Sequence, residues 1–385
     1  MNSEHARLSP SSRHRWAADA CPGSAREEAR YPDKPNKYSI AGTFFHQLAC
    51  ECLETGYDAK DWPSLQIAYG VGEKYPEPTH EDLAAVQIYL DQIRFDLDKN
   101  PGELWIEKKV VISQEHWGTS DAAIWSPETG LLRIYDYKHG SGIFVPVENN
   151  KQLKSYACGV FSLINNAEAV LEVENVIIQP RAGGKAVRRW KVDREEFLTW
   201  PSEIERDIAA ASHPDAPLNP GKWCKFCKHA PNCEALRERA LITAQADFSD
   251  LHIHPSELQG EELAAALRQA SIAETYFKAV RDHAFDIAKR GGSVPGHKLV
   301  KKRPVRKWIS EKKAATILIN RGVDQPYADP KIKSPAAVEK EVGDKGITRD
   351  LVVSESGGLT LALNSDGRPA VASSAAADFS EKPSI

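Results

Sequence analysis

Two short apolar runs deliver residues that could do chemistry together. Asp136 and Lys138 close "LLRIYDYK" (131–138), and Asp121 stands near the start of "TSDAAIW" (119–125). Side chains two apart on a strand point the same way, so Asp136 and Lys138 share a face and Tyr137 takes the other. A short turn between the runs would bring Asp121 beside the end of the second one. Two carboxylates and an ammonium would then meet at one sheet edge. Such oxygen donors suit a hard divalent cation, with the lysine charge orienting or stabilising an attacking hydroxide. Glu107, in "LWIEKKVVI" (104–112), could supply a third carboxylate. A lone D-x-K is ordinarily a solvated ion pair of little energetic consequence; this one has companions before and after it.

A second cluster is made of sulfur. "GKWCKFCKHAPNCEAL" holds Cys224, Cys227 and Cys233, and a C-x-x-C followed by a third cysteine is a metal-ligand pattern. Three thiolates leave a ligand missing. Thiolate sets of this kind bind zinc as readily as iron by composition. Cys50, Cys52 and Cys158 fall on apolar helical stretches and read as small core residues.

These groups need elements to hold them. "SIAGTFFHQLACECLETG" predicts a helix entered after Gly42 and ended at Gly56, with Phe45, Leu48, Ala49 and Cys52 on its apolar face. "EDLAAVQIYLDQIRFDLDK" predicts a second amphipathic helix. The three strand-like runs over 104–112, 119–125 and 131–138 follow as an antiparallel meander. "NKQLKSYACGVFSLI" returns to helix, and "VENVIIQP" and "AVRRWKV" to strand. The expected fold is α/β with a mixed sheet.

In this order and at these spacings the motifs resemble the PD-(D/E)XK nuclease superfamily, in particular its RecB-type iron–sulfur exonuclease branch and a phage and prophage family within it. The likeness spans residues 8 to 236. It rests on the Gly42-to-His46 helix, the Gly118-to-Asp121 strand, the Asp136-to-Lys138 triplet, the Gln152–Tyr156 helix and the cysteines. The resemblance implies a restriction-endonuclease-like core in which His46, Asp121, Asp136 and the Tyr137 carbonyl ligate Mg²⁺ or Mn²⁺. Lys138 would position the nucleophilic water, Gln152 and Tyr156 would meet the DNA backbone, and Glu107 would join the catalytic set. It also implies that Cys21 is the fourth cysteine ligand, so that a 4Fe–4S cluster on Cys21, Cys224, Cys227 and Cys233 clamps the two ends of the domain. Zinc is the second choice of metal.

The 385 residues allow two domains, and a net charge of −4 neither requires nor excludes a nucleic-acid partner, for which a local basic face suffices. No apolar run of membrane-spanning length and no signal-peptide core is present, so a cytoplasmic protein is expected. Seven cysteines in such a chain suit reduced thiols better than a disulfide scaffold. We expect a nuclease domain with its cysteine staple over 1–240, a helical and basic α+β accessory region over 241–353, and a disordered tail over 354–385. Within the accessory region Lys298, Lys301, Lys302, Arg303, Arg306 and Lys307 suggest a phosphate-tracking surface, with Trp308 stacking on a base. The expected activity is metal-dependent deoxyribonuclease, an exonuclease on DNA ends or single strands in phage recombination or replication, with a single-strand-binding or recombination protein as partner. The alternatives are a non-catalytic DNA-binding or assembly protein on the same fold and a structure-specific endonuclease.

Overall fold

The computed structural model describes residues 6–32, 37–64, 78–140, 144–182, 184–249, 258–301, 305–323, 326–328, 331–344, 346–355, 359–363 and 370–371. The chain divides into two compact units, residues 1–276 and 277–385.

In the first unit, two short helices, α1 (Arg13–Trp16) and α2 (Ser24–Glu28), precede the long helices α3 (Lys37–Thr55) and α4 (His80–Lys99). Thr79 caps α4 reciprocally with Asp82, which satisfies two backbone donors at the helix start. A meander of β1 (Glu103–Val111), β2 (Trp117–Ser126) and β3 (Leu131–Tyr137) leads into α5 (Lys151–Phe161), then β4 (Glu172–Ile178) and β5 (Val187–Asp193). The five strands lie in sequence order, parallel only between β3 and β4. A parallel neighbour needs a crossover, and α5 provides it. Helices α6 (Arg194–Phe197), α7 (Trp200–Ser212) and α8 (Glu234–Ser249) follow, and α9 (Gly260–Lys289) runs past the boundary between the units. The chain is thus a mixed α/β protein with a five-stranded mixed sheet.

Strand alternation splits the core in two. Tyr135, Tyr137, Ala122, Ile124, Val176 and Ile178 face α3 and α4, where Phe44, Leu48, Tyr89 and Ile93 cover them. Ile134, Ala123, Val173 and Ile177 face the other way, onto Leu153, Tyr156 and Val160 of α5. With both faces covered, β3 and β4 are buried almost end to end, and of the polar residues they carry, Arg133 and Glu174 pair with each other at 2.8 Å.

Three expectations need correction. The α3 helix includes residues before Gly42, because Lys37 to Ala41 continue the helical pattern without a breaker. A boundary at 240 would cut α8 at the buried Ala240. Within the tail expected to be disordered, β11 (Leu359–Leu363) pairs with β6 (His297–Lys301), since Leu-Thr-Leu-Ala-Leu has the period-two alternation of a strand.

The second unit also contains β7 (Val305–Trp308) paired with β10 (Val352–Glu355), the short pair β8 (Tyr327–Ala328) and β9 (Lys331–Ile332), and helices α10 (Glu311–Asn320) and α11 (Pro335–Val342) around Leu318, Val338 and Leu351. Trp308 packs against that small core and donates its indole N–H to the Lys333 carbonyl at 3.1 Å, so it is not the free stacking face expected of it. Lys302, Arg303 and residues 372–385 lie outside the described residues.

Candidate functional site

Sheet register assembles the acidic row. Ile106 faces Ala122 and Lys108 faces Ser120, which sets Glu107 across from Asp121. Ala122 faces Tyr135, so one step further Asp121 comes beside Asp136. Three carboxylates from neighbouring strands therefore share one row. Asp121 stands within β2 rather than at its start. At Glu107 the ladder breaks, and its φ of +44° puts a non-glycine residue in the left-handed region. Strain of this kind is held only where the surroundings over-determine it.

Helix α3 brings the histidine to this row. Phe44, Phe45 and Leu48 bury its inner face, and His46 emerges beside them with Nδ1 3.4 Å from Asp121 Oδ1. One donor atom each from His46, Glu107 and Asp121 lie within 4.8 Å of one another. His46 and Glu107 line a cleft of about 490 Å³ together with Gly42, Gln47 and Cys50. Cys50 is half-buried in this cleft, not the core residue its helical stretch suggested.

Lys138 closes the other side. Its Nζ lies 2.9 Å from Asp136, with the hydrogen bond directed to Oδ1, and 3.3 Å from Gln152 Oε1. Both oxygens of the buried Asp136 carboxylate lie 2.9 Å from that ammonium. Asn150 caps α5 by accepting the N–H groups of Gln152 and Leu153, which places Gln152 at the end of β3. Gln152 Nε2 then donates to the Tyr156 hydroxyl at 3.3 Å. The Tyr156 ring is buried and passes close to Gly118, where a Cβ would lie 3.2 Å from it and 3.1 Å from Pro10. That close approach explains a glycine three residues before Asp121.

The charges are tightly interdependent. Burial opposes a charged His46, but Asp121 beside it outweighs that and lifts the imidazole to about 9. Burial would likewise raise Asp121, yet His46 and Lys138 hold its carboxyl below the ordinary value. Asp136 is raised, because burial and the Asp121 charge outweigh Lys138. Glu107 keeps an open surface towards solvent, but local desolvation and Asp121 still bring it to about 7. Lys138 is raised by Asp136 and Asp121 against the cost of burial.

Sequence reasoning missed the brace behind the row. Tyr137, fully buried, donates its backbone N–H to Asp121 Oδ2 at 2.7 Å, and its hydroxyl lies 2.8 Å from His139 Nδ1. His139 Nε2 is 3.0 Å from Asp82 Oδ1, and Arg181 pairs with the same carboxylate. The His139 ring stacks on Phe45 at 3.7 Å, which ties α3 to the end of β3. The only signal was the position of His139 directly after the triplet.

The four cysteines proposed as ligands, Cys21, Cys224, Cys227 and Cys233, line one small pocket. Two of the sulfurs accept a backbone N–H: Cys21 from Asn219 at 3.2 Å and Cys224 from Gly221 at 3.3 Å. Burial raises all four thiols, Cys21 to about 11 and Cys227 to about 12. Among the described residues no three of these sulfurs lie within 4.8 Å of one another. The segment carrying Cys21 is also pinned without sulfur. Arg13 is buried against Asp207 at 2.8 Å, and buried His116 links the Leu8 carbonyl to Ser155.

A family model matches residues 5–369, nearly the whole length. The chain belongs to the DUF2800 family. Proteins of that family are described as being of unknown function, so membership assigns no chemistry to this DUF2800 chain. Among crystal structures, a protein of Eubacterium rectale provisionally named an exonuclease is 13% identical, with a TM-score of 0.30 over 57% of this chain and 85% of its own. A protein designated SSO0001 is also 13% identical, with a TM-score of 0.22 over 55% of this chain and 94% of its own. Likenesses at that level carry no argument about fold or activity. Among the described residues of this DUF2800 protein, no helix is long and apolar enough to cross a membrane.

Proposed function

We infer that this chain is a divalent-metal-dependent DNA nuclease of the PD-(D/E)XK kind, acting as an exonuclease at DNA ends. The observation that carries the reading is the row of Glu107, Asp121 and Asp136 across three strands, closed by His46 on one side and Lys138 on the other. The donors fit a hard cation: the His46 imidazole and the Glu107 and Asp121 carboxylates lie within 4.8 Å of one another, and Asp136 stands next to Asp121 in the same row. His46, Glu107, Asp121, Asp136 and, by the family pattern, the Tyr137 carbonyl would hold Mg²⁺ or Mn²⁺. When bound, such an ion supplies positive charge against the phosphate oxygens. His46 must lose its proton to serve as a ligand, so binding releases a proton.

The protein's own part is positioning. Lys138 is held by Asp136 and Gln152 at the rim of the row, where its ammonium can orient a water for attack and steady the negative charge that develops on the phosphoryl oxygens. Gln152 and Tyr156 stand next to it to receive the phosphate backbone. The brace of Tyr137, His139 and Asp82 keeps Asp121 from turning away.

The four cysteines we assign to a 4Fe–4S cluster. The four line one pocket although Cys21 is about two hundred residues from the other three, which suits a metal–sulfur centre that joins the two segments, with zinc as the second choice. The wider setting, a cytoplasmic phage protein acting in recombination or replication with a single-strand-binding partner, rests on the motif resemblance alone. The deciding experiment is digestion of linear DNA labelled at either end, beside circular DNA, by anaerobically purified protein with Mg²⁺ or Mn²⁺. Release of labelled nucleotides from linear DNA alone is expected. Cutting of circles would make it an endonuclease, and no cutting of either would remove the nuclease assignment.

A further inference from the structure

A second cleft, of about 750 Å³, opens beside the row. Lys138 and Gln152 line it together with Phe144 and with Lys222, Trp223 and Phe226 of the cysteine segment. Its aromatic rings are unusual for a solvated surface. Phe144 is 54% exposed and Phe226 51% exposed. Phe144 is nonetheless held in place: the Arg188 guanidinium lies 4.3 Å from its ring centre and is itself fixed by bonds to the Lys185 and Val145 carbonyls and to Gln179. Trp223 is anchored through its indole N–H, which donates to the Asn219 carbonyl at 2.8 Å. The lysines lining the cleft are Lys138, Lys151 and Lys222, set against Asp19 and Glu148, and Asp19 is already paired with Lys151 at 3.0 Å.

We propose that this cleft is a track for single-stranded nucleic acid, in which Phe144, Trp223 and Phe226 stack on unpaired bases and Lys222 meets phosphates, feeding the strand to Lys138. Exposed rings held by fixed partners offer faces that bases in a duplex, already stacked on each other, cannot use. The proposal rests on the nuclease reading for its direction of travel and adds the form of substrate. It also gives the cysteine segment a second role, because Lys222, Trp223 and Phe226, around Cys224, line the cleft.

The test is fluorescence anisotropy of the full chain with a labelled oligothymidylate of roughly 15 nucleotides and with a blunt duplex, under chelation so that nothing is cut. Phe144→Ala and Phe226→Ala should each weaken oligothymidylate binding about tenfold, with melting temperatures unchanged. Lys222→Gln should lower the salt dependence by about one counterion. Phe95→Ala, an exposed ring on α4 remote from this cleft, should bind as wild type. Unchanged binding by both phenylalanine variants, or an equal loss on duplex, overturns the track. If those variants bind normally while wild-type protein digests DNA, the track is wrong and the nuclease reading stands. If they lose binding while wild-type protein digests nothing, the track stands and the nuclease reading falls.

Discussion

The acidic row and the cysteine pocket are both candidate metal centres, yet they are assembled from opposite materials. Glu107, Asp121 and Asp136 come from adjacent strands of one meander, so the register of the sheet core sets their spacing. Cys21 and Cys224 come from the two ends of the first unit, about two hundred residues apart, and only tertiary docking makes them neighbours. The row keeps like charges together, with Asp136 and Glu107 raised and His46 charged between them. The pocket keeps neutral thiols under backbone N–H groups. Under the proposed function, the first arrangement would give up stability for chemistry, and the second would add stability once a cluster is bound.

If that contrast is right, substitutions in the two regions should separate activity from stability. Lys138→Ala and Asp121→Ala should each lower DNA hydrolysis by about 10²–10³, while the variants stay folded and keep the wild-type iron content. Retained cleavage in either variant would end the catalytic assignment of the row.

Cys21→Ala should do the reverse, lowering melting temperature by several degrees and abolishing iron content. A centre bound only by the folded state adds its binding free energy to stability, and closing so long a loop removes denatured-state entropy. Cys158→Ala serves as the cavity control and should cost less, since Cys158 lies on α5 away from the pocket. Protein that keeps its iron and its melting temperature without Cys21 would dissolve the staple, leaving Arg13 and Asp207 to dock the segment.

The row can also be sharpened by pH. Glu107 sits at about 7 in the folded chain against an ordinary 4.5, so its ionised form opposes folding above pH 7 and the penalty vanishes below 4.5. In metal-free protein Glu107→Gln should therefore raise the melting temperature at pH 8 and leave it unchanged at pH 4. Saturating Mn²⁺ should reverse the sign at pH 8, because the carboxylate then has a cation to meet. Thermal melts at the two pH values, with and without Mn²⁺, measure this directly. The smallest effect is expected from Gly118→Ala, whose methyl would press on Pro10 and Tyr156 at 3.1 to 3.2 Å and cost on the order of 1 kcal/mol.

Much of this molecule follows from local rules. Alternation along "LLRIYDYK" alone puts Asp136 and Lys138 on one face and drives Tyr137 into the core, and the structure has Lys138 Nζ on Asp136 and Tyr137 fully buried. The order of long helices, meander, crossover helix and two further strands was legible for the same reason: period two and period 3.6 are properties of the backbone itself. The C-x-x-C spacing likewise brought Cys224 and Cys227 together without any fold. What needed the fold were distances between residues far apart in the chain. Strand offset decided that Glu107 faces Asp121, helix docking decided that His46 reaches the row and that Cys50 turns to the cleft, and the packing of the N-terminal segment decided that Cys21 meets Cys224. Such approaches depend on how whole surfaces fit, and no short stretch of sequence encodes them. The brace of His139, Asp82 and Arg181 belongs to the same class, joining three elements whose sequences give no sign of one another.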